Sequence, residues 1–150
     1  MKLLVSLMSC LLAASLGAQQ MGTSDTRVRF LAVDIFVDSK DKPLAAYQLE
    51  FSVTNSNAKI VGIEGGEHVA FREAPHYDPK AMQQERVIVA AFSTEPANRL
   101  PTGKTRVATI HVQTSGITND AQFQVQLHTA ADAEGRIIPT KASIELKKNQ

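Results

Sequence analysis

The sequence predicts an all-β protein: an antiparallel β-sandwich of eight to nine short strands with jelly-roll (immunoglobulin-like) topology. Three observations carry that expectation. Tyr47, Leu49, Phe51 and Val53 alternate with Gln48, Glu50, Ser52 and Thr54, and Phe123, Val125 and Leu127 alternate with Gln122, Gln124, Gln126 and His128. A period of two places apolar side chains on one face of an extended strand and polar ones on the other. Turn-forming residues interrupt the apolar runs at 38–43, 95–103 and 132–135, which is the punctuation of a sandwich. No segment holds a helical period over several turns.

Taken in order, the chain opens with an export segment. Lys2 supplies a positive charge, residues 3–16 are apolar apart from scattered serines, and Gly17-Ala18 are small. These are the three regions of a secretory signal peptide, so residues 1–18 are expected to be removed near Gly17 or Ala18. The apolar run is short for crossing a bilayer, and no membrane span is expected in the mature protein. Residues 7–10 (LMSC) loosely resemble the lipobox of bacterial lipoproteins, but six apolar or small residues follow Cys10, which is read as part of the signal. Cys10 is the only cysteine, so the mature chain has no disulfide or thiolate site. The expected address is the periplasm, cell surface or exterior.

The mature domain is expected over 26–147. In 27–37 the apolar phase changes, from Val28 and Phe30 to Leu31, Val33, Ile35 and Val37. A slip of one residue predicts a β-bulge or a strand that switches sheets. After the 44–54 strand, Asn55-Ser56-Asn57 breaks the pattern, and Ile60, Val61 and Ile63 lead to Gly65-Gly66. Residues 67–86 are irregular, and Pro79 is placed to open a short helix near 79–85. The run 86–93 (RVIVAAFS) is strand-like, with alanines where another layer can approach. Residues 104–113 form a strand with Ala108, Ile110 and Val112 in one phase, 116–120 a turn, and Ile137-Ile138 with Ala142, Ile144 and Leu146 the last of the sheet.

Composition narrows the function. Hydrophobic residues make up 43% and charged residues 21%, ordinary for one folded domain. With Lys2 set aside, basic and acidic residues balance at 15 each, and no basic stripe exists, so no nucleic-acid partner is expected. There is no tryptophan, and of the two tyrosines Tyr47 lies in the apolar phase of its strand, leaving Tyr77 as the free aromatic for stacking on a sugar.

The order AAYQLEFSV, KIVGIEGGEHVAF, VIVAAFST, LPTGKTRVATIHVQTSG and FQVQLHTAADAEGRIIP resembles the cohesin modules of bacterial cellulosomes and their relatives. The matching positions are Leu49 and Phe51, Val61-Gly62, Phe92 with Thr94, Gly103 with Ala108 and Ile110, and Phe123 with Leu127. The resemblance implies a nine-stranded jelly roll, shared by some carbohydrate-binding modules. It also implies a stand-alone, non-catalytic module of a small exported bacterial protein that binds a dockerin-like partner through one sheet face.

The candidate binding face consists of Gln48, Glu50 and Ser52 with Gln122, Gln124, Gln126 and His128. Amides and small polar groups on a flat sheet suit a protein partner or the hydroxyls of a polysaccharide, although an antiparallel sheet has a wet face in any case. No nucleophile elbow or HExxH spacing occurs, and a small exported enzyme is the remaining alternative. No cofactor is expected. Calcium is the ion to weigh, at the acidic turns of Asp38 and Asp41 and of Asp132 and Glu134, which lack a dedicated calcium-loop pattern. His68, His76 and Asp78 share the irregular segment without ligand spacing. A monomer is expected.

Overall fold

The computed structural model describes residues 27–54, 57–115 and 122–147. The expected signal peptide and the 116–120 turn therefore lie outside the described residues. Among the described residues there are eight strands: β1 (Val28–Asp38), β2 (Ala46–Val53), β3 (Ala58–Gly65), β4 (His76–Tyr77), β5 (Arg86–Phe92), β6 (Lys104–Ser115), β7 (Phe123–Ala131) and β8 (Lys141–Leu146). They form two four-stranded antiparallel sheets, ordered β3-β6-β1-β8 and β4-β5-β2-β7. Every connection except β4 to β5 passes from one sheet to the other, in the jelly-roll manner. The all-β sandwich follows the period-two reading.

The alternations in β2 and β7 fall as the pattern requires. Tyr47, Leu49, Phe51 and Val53 are buried, and Phe51 stacks against Phe123 with centroids 5.9 Å apart. Val33, Ile35 and Val37 of β1, Ile110 and Val112 of β6, and Val87 and Val89 of β5 share the same interior. Tyr47 is also anchored at its polar end: its buried hydroxyl donates to the Val107 carbonyl at 3.1 Å. That bond satisfies a group whose burial would otherwise be costly, and burial pushes the phenol's pKa upward.

The phase slip expected in β1 is placed elsewhere. β1 pairs with β6 without interruption from Val28 opposite Ser115 to Ile35 opposite Ala108, and the register then jumps to Phe36 opposite Arg106. The extra residue is Val107, on β6. The bulge lets the sequence neighbours Val107 and Ala108 both face the interior. Val28 and Phe30 need no slip, because they stay on the outward side at 56% and 64% exposure.

Two other expectations are refined. The helix near 79–85 is a single 3-10 turn, Pro79–Ala81, with proline in its first turn and the Asp78 carboxylate capping the Lys80 N–H. Met82 then turns extended, at φ −64° and ψ 139°, which ends the turn, and Gln83 follows at φ 68°. Ile137-Ile138 contributes only a bridge between Ile137 and Ala131, not a strand, with Ile138 buried and Ile137 at the surface.

Candidate functional site

The strand registers bring the predicted polar rows together on the outer face of the β4-β5-β2-β7 sheet. Ser52 lies between Arg86 and Gln124, Glu50 between Ile88 and Gln126, and Gln48 between Ala90 and Thr129. The row of Gln48 continues through Ala90 to His76 of β4. A register shift in β7 leaves His128 as the extra residue opposite the Gln48–Leu49 step. Its consequence is that His128 and Thr129, neighbours in sequence, are both exposed. Gln122 is the one predicted residue set apart: it precedes β7, accepts Thr54 N–H at its backbone carbonyl, and leaves its side-chain oxygen buried and unpartnered.

Glu50 sits at the centre, two-thirds or more buried beneath its neighbours. Arg86 grips its carboxylate with two bonds, Nε to Oε1 at 2.7 Å and an Nη to Oε2 at 2.8 Å, and His128 Nε2 stands 3.8 Å from Oε2. The hydrogen bond from Arg86 holds the Glu50 carboxyl below its usual range; the charges of Arg86 and His128 add to it, and partial burial opposes it. A forked guanidinium–carboxylate pair fixes geometry as well as charge, so Glu50 is a clamp between β2 and β5. A folded-state pKa below the unfolded one makes this pair's stabilisation complete above about pH 4.5 and lost as pH falls through the folded value. A melting series from pH 7 to pH 3 should therefore show a steeper acid loss for the natural chain than for Glu50→Gln. Parallel curves for the two would remove Glu50 from the acid response.

Beside this polar centre runs an apolar strip that the sequence reading did not assign. Ile88 is 38% and Phe92 67% exposed, both on the outer side of β5. The His76 ring lies near-parallel to that of Phe92, with centroids 6.3 Å apart and planes at 15°. At that end a hollow of about 140 Å³ opens between the 3-10 turn Val69–Phe71, the residues that follow it and the end of β5; Val69, Phe71, Glu73, His76, Ala91 and Phe92 are on its wall. The available signal was that β5 is apolar in both phases, Val87, Val89 and Ala91 in one, Ile88, Ala90 and Phe92 in the other. Tyr77, expected to be the free aromatic, instead packs against the core from the inner side of β4. Phe92 holds the exposed role.

The acidic turns and loop histidines have local partners. Asp38 accepts from the Lys40 backbone at 3.0 Å and from its ammonium at 2.5 Å. Asp132 accepts from the Glu134 and Arg136 backbones, at 3.1 and 2.9 Å, and from the Arg136 guanidinium at 2.8 Å, which also reaches Glu134 at 3.0 Å. His68 Nδ1 caps the Val69–Phe71 turn by accepting from Ala70 N–H, as Asp78 does for Pro79–Ala81. Among the described residues no group of three or more potential ligand side chains converges on a metal position, and no helix is long and apolar enough to cross a membrane. A comparison of the chain with protein-family models, curated proteins and solved structures finds no match.

Proposed function

We propose that this chain is an exported, non-catalytic binding module of cohesin-like type that engages a protein partner through the outer face of the β4-β5-β2-β7 sheet. The observation that carries the reading is the exposure of Phe92 and Ile88 beside the internally neutralised Glu50–Arg86 pair. Exposed apolar side chains beside groups that hydrogen-bond without carrying unpaired charge are the make-up of a protein interface. Gln124, Gln126, His128 and Thr129 supply that edge on β7, with Gln48 and Ser52 between. A second reading has one observation in its favour: the Phe92 ring, exposed beside amides, offers a flat face for a sugar, which makes a carbohydrate-binding module the alternative.

One experiment separates the two. Immobilised mature protein is offered an envelope extract and, in parallel, a glycan array, with Gln124→Ala/Gln126→Ala as the comparison. The protein-partner reading expects a captured protein whose retention falls in the double variant, and no glycan signal. A glycan signal abolished by the same double variant would replace it with the carbohydrate reading.

A further inference from the structure

The hollow at the Phe92 end of this face has a composition that selects its occupant. Its volume, about 140 Å³, is below the roughly 300 Å³ at which pockets for whole small-molecule ligands begin, and suits one long side chain. Val69, Phe71 and Ala91 give it apolar walls, while His76 and Phe92 present near-parallel rings. Glu73 is the one acidic residue of the lining, which contains no lysine or arginine. Most carboxylates of the described residues are occupied, among them Asp34 by Thr109 and Arg106, Asp38 by Lys40, Glu50 by Arg86, Glu95 by Arg99, Asp132 by Arg136, and Glu145 by Lys104. Glu73 is exposed and has no ion pair or side-chain hydrogen bond among the described residues.

We propose that the hollow receives an arginine or lysine side chain of the partner, its aliphatic stem against Val69 and Ala91 and its cationic head between Glu73 and the Phe92 ring. The inference rests on the protein-partner reading and names the chemistry of one anchor within it. A purely aliphatic occupant would meet the apolar walls and leave Glu73 without a partner. A basic side chain satisfies both halves of the lining, burying its methylenes while its charge meets a carboxylate and an aromatic face. Arginine fits better than lysine, because its planar guanidinium stacks on a ring and forks onto a carboxylate at once.

The test is a titration of the full mature protein, followed by amide NMR, with N-acetyl-arginine methylamide and with the leucine and glutamate analogues. The expected result is millimolar binding of the arginine derivative, shifts confined to residues 69–74, 76, 91 and 92, and no saturable binding of the other two. Glu73→Gln should weaken it about threefold, the scale of an exposed ion pair, and Phe92→Ala by a similar factor; unchanged spectra elsewhere would show that each variant is folded. Equal or tighter binding of the leucine derivative, shifts elsewhere, or indifference to Glu73→Gln would overturn the proposal. Because no partner is present, the outcome is independent of the capture experiment. A module that retains its partner through Gln124 and Gln126 yet ignores the arginine derivative would lose this anchor and keep the binding face.

Discussion

Replacing Phe51 with alanine is expected to destabilise the domain by about 3–5 kcal/mol, the range for truncating a buried phenylalanine. Phe51 is wholly buried at the middle of β2, between Val87 of β5 and Val125 of β7, and its ring stacks on Phe123. Its neighbours come from three strands held in register by their ladders, so they cannot collapse into the space, and the cavity term adds to the lost transfer energy. With a single cysteine in the sequence no disulfide can form within the chain, so packing supplies the stability, and the melting temperature should fall by about 15 °C. Urea unfolding of the variant is the check. A midpoint within error of the natural protein's would mean that Phe51 is not where the sandwich closes.

The second large effect concerns two glycines where β3 ends, Gly65 and Gly66. A Cβ on Gly65 would stand 2.0 Å from the Arg72 carbonyl oxygen, and one on Gly66 2.2 Å from that of Arg106. Both obstacles are backbone, and neither can swing aside. The strand end is clamped where it meets them: Gly66 N–H donates to the Phe71 carbonyl at 2.6 Å, Glu67 N–H to the Arg106 carbonyl at 3.1 Å, and the Arg106 guanidinium to the Gly65 carbonyl at 3.3 Å. Gly65→Ala and Gly66→Ala should each cost about 3 kcal/mol, the upper end of overpacking. They should also shift the segment that carries Val69, Phe71 and Glu73. Gly62→Ala is the control, because its Cβ would meet the His111 ring and Cβ at an ordinary 3.5 Å; it should be neutral or slightly stabilising. Thermal melts of the three variants measure the contrast, and equal melting temperatures would contradict the close approach at Gly65 and Gly66.

How much of this was legible in the sequence depended on whether the information was local. The inward faces of β2 and β7 were legible, because strict alternation is a property of the strand itself and a buried face leaves no choice of register. The meeting of Gln48, Glu50 and Ser52 with Gln124, Gln126 and His128 followed from the same rows, once the two strands were neighbours. The bulges were not legible. Val107 on β6 and His128 on β7 are extra residues only relative to a partner strand, and the phase change at Phe30 was mistaken for one of them. Tyr77 was assigned to the wrong side, and Phe92 to none, for a related reason. A two-residue strand such as β4 has no alternation to read, and a strand apolar in both phases, as β5 is, does not declare which side is left uncovered. The Glu50–Arg86 clamp joins residues 36 positions apart, beyond any local pattern.

The central claim is that partners meet the β4-β5-β2-β7 face and not its counterpart. The most direct measurement compares partner retention by two surface variants of matched chemistry. Ile88→Ser/Phe92→Ser removes the apolar strip of the proposed face, and Val28→Ser/Phe30→Ser removes the exposed apolar pair of β1 on the other sheet. Both pairs are at the surface, so both variants should melt close to the natural protein. Retention should fall by about tenfold or more in the first, as for loss of an interface anchor, and stay unchanged in the second. Full retention by Ile88→Ser/Phe92→Ser, with loss in Val28→Ser/Phe30→Ser, would contradict the account and move the binding face to the opposite sheet.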